Sequence, residues 1–153
     1  MAHIHELIDL TVSCYVVYDD KVLLAHHKKY NKWLQIGGHV ELNQNTDEAL
    51  ENEIREEAGL EVEILGSNPN ISTETFKSLR RPESVNIHYV SPTHQHLDLV
   101  YYGRAKTAIF QVSDEHYELR WFSLRDLDNP EFNIQPQIKY YAEAAIATAN
   151  SAL

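Results

Sequence analysis

The sequence predicts an α/β fold, an α/β/α sandwich in which helices cover both faces of a mixed β-sheet. Apolar segments of strand length recur along the chain. Two amphipathic helical segments stand far apart among them. This alternation of strands with well-separated helices suits a layered architecture. With 153 residues and no internal repeat, we expect a single domain, residues 1–153.

The strand predictions rest on apolar runs bounded by turn residues. These runs occupy residues 10–18, 21–25, 33–36, 60–65, 85–90, 97–105 and 118–123. Asp19 and Asp20 separate the first two runs and favour a hairpin turn. The polar stretch 66–84 is predicted to be a long loop with a short strand near residues 71–76.

Two longer helices and one short turn or helix are predicted. The first helix spans about residues 46–58, where Asn45 or Thr46 can cap its start and Glu48, three residues after Asn45, resembles a capping box. Gly59 stands where a helix-ending glycine is expected. A turn or short helix follows at residues 124–127. The last helix covers residues 135–147, in which apolar residues recur at helical spacing.

Glu53, Glu56 and Glu57 stand at i, i+3 and i+4 of the first predicted helix. Since an α-helix turns about 100° per residue, their carboxylates project from one side, where they repel one another. Carboxylate oxygens are the ligands that Mg²⁺ or Mn²⁺ prefers, and Mg²⁺ often shares its coordination shell with substrate phosphates. The spacing therefore predicts a metal site for phosphoanhydride hydrolysis. A solvated helix face has the same pattern and is the alternative.

A glycine pair precedes this helix. Gly37 and Gly38 follow a short apolar run, so we expect a flexible turn whose backbone approaches a bound diphosphate closely. Lys28 lies in a basic stretch ahead of the glycines, and Arg81 follows another arginine. We predict all four residues to contact substrate. Ordinary solvated loop charge is the alternative for the two basic ones.

The segment from Gly38 to Leu60 resembles the signature of the Nudix hydrolase family. That signature runs Gly, five residues, Glu, seven residues, Arg-Glu, an aliphatic residue, any residue, Glu-Glu, any residue, Gly and an aliphatic residue. The chain matches it at Gly38, Glu53, Ile54, Glu56, Glu57, Gly59 and Leu60. It departs at two positions, where Gln44 replaces the first Glu and Asn52 replaces the Arg.

The resemblance implies a Nudix-like α/β/α sandwich around a mixed sheet, with Glu53, Glu56 and Glu57 as ligands of Mg²⁺ or Mn²⁺. It also implies a pyrophosphohydrolase that cleaves the diphosphate linkage of a nucleoside diphosphate derivative, such as a nucleoside triphosphate, a nucleotide sugar or ADP-ribose. An isomerase of the isopentenyl diphosphate type is disfavoured, because its cysteine would have to be Cys14, within an apolar strand.

The two departures leave a second hypothesis open. In the family the arginine is thought to orient the neighbouring glutamates, whereas Asn52 offers only a neutral hydrogen bond. Gln44 lacks the negative charge but keeps an acceptor oxygen that could contact a cation-bound water. The alternative is therefore a catalytically weakened Nudix domain that binds a nucleotide or regulates another activity.

The attacking water needs a base or an orienting group. Glu118, with Glu115 beside it, resembles a late acidic position that some family members use, and Asp98 is a third candidate. Within the signature, Glu53 could either bind metal or accept a proton. We predict Glu118 as a catalytic residue together with Glu53, Glu56 and Glu57.

A second polar group alternates along a predicted strand. His94, His96 and Asp98 would place their side chains on one face of the sheet. Two histidines and a carboxylate can bind a transition metal. They can also line a nucleotide cleft, which is the interpretation we favour.

The composition limits the partners of the protein. A formal net charge of −10 argues against stable binding to nucleic acid, which needs a basic surface. The nucleotide-type small molecule that the resemblance implies can still bind if a metal ion and local basic groups neutralise its charge. Cys14 is the sole cysteine and cannot form an internal disulfide. No secretory signal or membrane-spanning apolar run is apparent, so we expect a cytoplasmic protein without membrane association. A homodimer is left open.

Overall fold

The computed structural model describes residues 3–151, which contain eight strands, three α-helices and a 3₁₀ turn at Pro130–Phe132. The α-helices are α1 (Thr46–Ala58), α2 (Leu124–Leu127) and α3 (Pro136–Ser151). The strands are β1 (Ile8–Tyr18), β2 (Lys21–His27), β3 (Lys32–Leu34), β4 (Ile36–His39), β5 (Val62–Ile64), β6 (Ser84–Ser91), β7 (His94–Ala105) and β8 (His116–Phe122).

The eight strands form one mixed sheet. Its main path runs β3-β2-β1-β7-β5, while β4, β6 and β8 pair with β1, β7 and β2 respectively. Strands β1 and β7 run parallel, with Asp9 opposite His96, and the other pairs are antiparallel. On one side, β1 pairs with β4 from Thr11 to Cys14 and with β2 at Val17 and Tyr18. The central strand therefore connects all the others.

Helices cover both faces of this sheet. In β1, Val12, Cys14 and Val16 are buried with the apolar stripe of α1. Tyr15 and Val17 are buried against α3 on the opposite face. This alternation follows from the two-residue period of a strand, whose successive side chains point to opposite faces. The α/β/α sandwich around a mixed sheet is thus confirmed.

Helix α1 has the bounds that the sequence predicts. The Asn45 side chain accepts a hydrogen bond from the Glu48 backbone N–H at 2.9 Å, and the Asn45 N–H donates to Glu48 Oε2 at 3.0 Å. This reciprocal pair is the predicted capping box. Gly59 ends the helix with φ 61°, a left-handed conformation that glycine adopts without strain.

Two local predictions differ from the structure. Gly37 and Gly38 do not form a flexible turn: both lie in β4, opposite Ser13 and Val12 of β1, and neither has a positive φ. The expected strand near residues 71–76 is reduced to one isolated bridge between Ser72 and Lys77. The hairpin turn at residues 19–20 is confirmed, since both aspartates have positive φ.

Residues 3–151 contain no helix that combines the length and the hydropathy needed to cross a bilayer.

Candidate active site

One side of α1 opens onto a cleft of about 240 Å³. We call it the acidic cleft, because five of the six residues that line it are acidic: Glu53, Glu56, Glu57, Ser113, Asp114 and Glu115. The structure thus brings the three signature glutamates together, as the helical spacing predicts. The cleft also includes the loop that precedes β8. This loop is distant from α1 in the sequence, so the sequence did not indicate their contact.

The three glutamates differ in their environment. Glu57 is only 5% exposed, Glu53 is partly buried and Glu56 is exposed. The pKa of Glu53 is raised to about 8, first by burial and then by the negative charges of Glu57, Glu56 and Glu115. A hydrogen bond with Glu57 acts in the same direction. The cleft therefore carries negative charge that its own residues do not neutralise.

The donor set fits a hard divalent cation. The cleft offers carboxylate oxygens from helix and loop, and such oxygens are preferred by Mg²⁺ and Mn²⁺. Burial is the largest cause of the raised pKa of Glu53, and the neighbouring negative charges add to it; a cation between the carboxylates would relieve that repulsion. Glu53, Glu56 and Glu57 are the residues that could hold it.

The two glycines of β4 have different neighbours. A Cβ atom added at Gly38 would lie 2.4 Å from the carboxyl carbon of Glu53, far inside van der Waals contact. A Cβ atom at Gly37 would instead lie 2.3 Å from the carbonyl oxygen of Val12 in β1. Gly38 therefore makes room for a cleft carboxylate, whereas Gly37 allows two strands to pack closely.

His116 is a site residue that the sequence analysis missed. It is buried at the start of β8, and its Nε2 lies 2.8 Å from Glu57 Oε2, across 59 positions of sequence. With Nε2 donating, the Nδ1 atom is buried without a hydrogen-bond partner in the described structure. Its position next to Glu115, already a candidate, was the only signal in the sequence.

The two departures from the family signature make their hydrogen bonds outside the acidic cleft. The Asn52 side-chain oxygen accepts a hydrogen bond from the Arg55 guanidinium, on the same helix. The Gln44 side-chain oxygen accepts the Glu41 backbone N–H at 3.1 Å and closes a turn ahead of α1. Neither of these bonds involves the glutamates of the acidic cleft.

Three other predicted residues lie outside the cleft lining. Glu118 is exposed on β8 opposite His26, so its role as a base stays a prediction. Arg81 is exposed in the loop before β6, where its backbone N–H donates to Ser67 O at 2.8 Å. Lys28 is closer, because its backbone N–H donates to the Glu115 carbonyl at 3.1 Å.

The polar group of β7 separates in the structure. His94, His96 and Asp98 occupy one strand as predicted, but Asp98 is buried and accepts hydrogen bonds from Thr11 Oγ1 at 2.8 Å and Ser13 Oγ at 2.7 Å. Burial raises the pKa of this carboxyl. The two histidines lie near a different carboxylate, that of Asp9.

Comparison with known proteins gives a consistent result. The NUDIX domain family model matches residues 8–144. A solved NUDIX family hydrolase from Clostridium perfringens is 36% identical, with a TM-score of 0.78, and the match covers 91% of this chain and 96% of that one. No curated protein matches the chain.

Two more distant structures share the fold. A MutT NUDIX hydrolase from Burkholderia pseudomallei is 23% identical, with a TM-score of 0.64, and the match covers 94% of this chain and 98% of that one. A UDP-X diphosphatase is 19% identical, with a TM-score of 0.63, over 100% of this chain and 67% of that one. At these identities the likeness concerns the fold alone.

Proposed function

Because the chain belongs to the Nudix hydrolase family, we propose that this hydrolase is a Mg²⁺-dependent pyrophosphohydrolase that cleaves the diphosphate linkage of a nucleoside diphosphate derivative. Nucleoside triphosphates, nucleotide sugars and ADP-ribose are the substrate classes to test. The supporting observation is the acidic cleft, in which carboxylates from helix α1 and from the loop before β8 line the same space. We further propose that residues 1–153 form a single domain, located in the cytoplasm.

Glu53, Glu56 and Glu57 are the proposed metal ligands. Their carboxylates share one side of α1, and Gly38 leaves the space that the Glu53 carboxylate needs. When bound, a divalent cation would neutralise charge on the phosphoryl oxygens and lower the pKa of a coordinated water. Without that positive charge, an anionic diphosphate would meet only carboxylates in the cleft.

Glu115 is the proposed base or orienting group for the attacking water. One of its carboxylate oxygens lies within 4.8 Å of ligand atoms of both Glu57 and His116. It is exposed on the loop facing α1, so a water in the cleft can reach it. These contacts support Glu115 for this role, which the sequence analysis gave to Glu118 with Glu115 as a neighbouring candidate.

His116 is proposed as a positioning residue. A buried carboxylate needs hydrogen-bond donors, and His116 supplies one to Glu57 from the protein interior. This contact can replace the orienting contact that the family arginine makes, since Asn52 bonds with Arg55 instead. A histidine from a distant strand would then compensate for a departure within the signature.

Lys28 is the proposed phosphate contact at the rim. Its backbone is tied to Glu115, and its ammonium lies 5.9 Å from the centre of the Tyr117 ring. From there the flexible lysine side chain can turn towards a phosphate that extends beyond the metal. Substrate contact by Gly37 and Arg81 stays a prediction, since neither residue lines the acidic cleft.

The test is a substrate panel with a matched pair of variants. The native protein is incubated with Mg²⁺ or Mn²⁺ and nucleoside triphosphates, nucleotide sugars or ADP-ribose, and nucleotide and phosphate products are quantified. We expect Glu57→Gln to reduce turnover at least about 100-fold. Glu51→Gln, on the exposed part of the same helix, should keep native turnover.

Two results would contradict the proposal. Equal turnover by native protein and Glu57→Gln would show that the acidic cleft takes no part in the reaction. Tight nucleotide binding without turnover on the whole panel would instead support the weakened, nucleotide-binding domain, for which the Asn52 and Arg55 contact is the structural argument.

A further inference from the structure

Four side chains from β1, β4 and β7 meet at one end of β4. The other end of β4 pairs with Cys14. We call Asp9, His39, His94 and His96 the histidine cluster. The three imidazoles direct the same atom, Nε2, to one oxygen of Asp9, Oδ2. The three distances to that oxygen are 2.8 Å for His94, 3.3 Å for His39 and 3.9 Å for His96.

Hydrogen bonding alone accounts poorly for this convergence. A carboxylate oxygen has two lone pairs, so it cannot accept three good hydrogen bonds at once. Of the three contacts, only that of His94 has the geometry of a hydrogen bond. Three imidazoles packed around one oxygen do, however, present three nitrogen lone pairs to the same space when each is neutral and carries its proton on Nδ1.

Three of the four side chains already have the spacing of metal ligands. Zn²⁺ binds histidine nitrogen and carboxylate oxygen at about 2.0–2.2 Å, which places neighbouring ligand atoms about 3.3–3.6 Å apart. The distances from Asp9 Oδ2 to the three imidazoles lie on both sides of that range. The ligand atoms of Asp9, His94 and His96 lie within 4.8 Å of one another. Among these ligand atoms His39 Nε2 contacts only that of Asp9, at 3.3 Å, and rotation of its exposed side chain towards His94 and His96 would supply the fourth ligand.

We propose that Asp9, His39, His94 and His96 bind one transition-metal dication of the Zn²⁺ class. Three imidazole nitrogens and one carboxylate oxygen are borderline ligands, which suit Zn²⁺, Co²⁺ or Ni²⁺ better than Mg²⁺. The site is distinct from the acidic cleft and does not depend on the proposed reaction.

The backbone holds these ligands in place. His94 and His96 alternate along β7, and Asp9 pairs directly with His96 across the parallel strands. His39 extends from β4 immediately after Gly38, the glycine that adjoins Glu53. A metal bound here would therefore join β1, β4 and β7 at one end of the sheet. Ligands on strands need less ordering than ligands on loops.

His88 supports the cluster from outside. It lies opposite His96 in the pairing of β6 with β7, with ring centres 5.5 Å apart. Its Nδ1 contacts Asn86 Oδ1 at 2.8 Å, which fixes the ring orientation. Outer residues of this kind commonly hold metal-binding histidines in position.

The test uses Co²⁺ as a spectroscopic probe. Full-length protein is stripped with a chelator and titrated with Co²⁺ in excess Mg²⁺, which competes for oxygen-ligand sites. We expect the intense visible absorption of tetrahedral Co²⁺ at about one ion per chain, lost on addition of Zn²⁺. Asp9→Asn and His39→Gln should each weaken binding by more than about tenfold.

Matched variants separate this site from the others. His39 is 52% exposed, so His39→Gln should fold normally even if another variant does not. Asp98→Asn should keep native Co²⁺ affinity, because Asp98 bonds with Thr11 and Ser13 instead. His5→Gln, near the start of the chain, should also keep it, and circular dichroism checks that each variant is folded.

Three outcomes would overturn the proposal. Native affinity in both Asp9→Asn and His39→Gln would exclude the histidine cluster. Loss of the signal in Glu57→Gln but not in His39→Gln would place the ion in the acidic cleft. Only the weak absorption of six-coordinate Co²⁺ would show that no tetrahedral site forms.

Discussion

The acidic cleft and the histidine cluster are built in opposite ways. The cleft takes three carboxylates from about one turn of a helix, and all its charged groups are carboxylates. The histidine cluster takes its four side chains from three strands, with 85 positions between Asp9 and His94, and three of them are imidazoles. Donor chemistry would therefore direct a hard cation to the first and a borderline cation to the second.

The two regions also lie on different faces of the sheet. Glu53 belongs to α1 and to the face where Val12 and Cys14 are buried. Asp9 has the same parity along β1 as Tyr15 and Val17, which face α3. Strand β4 serves both, because Gly38 adjoins Glu53 and His39 reaches Asp9. One strand can thus support two unrelated sites, since its successive residues alternate.

Replacing the glycines of β4 should have the largest effect on the two regions, because one variant should lower turnover and the other stability. In Gly38→Ala the new methyl group displaces the Glu53 carboxylate, so we expect turnover to fall about 10- to 100-fold with little loss of stability. In Gly37→Ala the methyl group meets the Val12 backbone, so stability should fall by about 1–3 kcal/mol.

Turnover at saturating Mg²⁺ and urea unfolding distinguish the two glycine variants. If both lose stability equally, Gly38 serves the fold and not the cleft. Co²⁺ binding by the histidine cluster should survive in Gly38→Ala, which checks that the effects stay on one face.

Removing the histidine that supports Glu57 should have the next largest effect. His116→Leu leaves a buried carboxylate oxygen without its donor, so the Mg²⁺ concentration needed for half-maximal activity should rise about tenfold. His116→Gln keeps an N–H donor and should recover part of that loss. A shift in stability with an unchanged Mg²⁺ requirement would make His116 a core residue only.

The raised pKa of Glu53 predicts a pH dependence in the chelator-treated protein. Below about pH 4.5 the Glu53 carboxyl is protonated in both the folded and the unfolded chain, so it does not lower the free energy of unfolding. Between pH 4.5 and about 8 only the folded chain keeps the proton, so the free energy of unfolding decreases as pH rises.

Glu53→Gln should remove this loss. We expect the variant to be more stable than the native protein at pH 8 by roughly 1–3 kcal/mol, after discounting the shift because Glu53 is only partly buried. The two proteins should have nearly equal stability at pH 4.5. Urea unfolding at both pH values measures the difference, and Glu51→Gln should show no such gain. A native-like pH profile in Glu53→Gln would contradict the assignment.

The smallest expected effect concerns a thiol on the face of the sheet that α1 covers. Cys14 is buried on β1, and burial raises the pKa of its thiol well above the usual range. A thiol reagent should therefore label the native protein very slowly and the urea-unfolded protein completely. Rapid labelling of native protein would show that the core on the side of the acidic cleft opens.

The helical part of the site follows from the sequence because its information is local. Spacing alone places Glu53, Glu56 and Glu57 on one side of α1, and Asn45 and Gly59 set the ends of that helix. The contiguous signature also indicates the family and its fold, and the family model matches residues 8–144. The strand order and the pairing partners carry no comparable local pattern.

Tertiary structure alone decided which distant residues complete each region. The strand spacing of Asp98 predicts that it joins His94 and His96. Its carboxylate instead accepts hydrogen bonds from hydroxyl groups on β1, and Asp9 contacts the histidines. His116 reaches Glu57 only because β8 pairs with β2. Periodicity along one chain fixes the direction of a side chain, whereas its partner depends on sheet register and helix packing, which are set by the whole core.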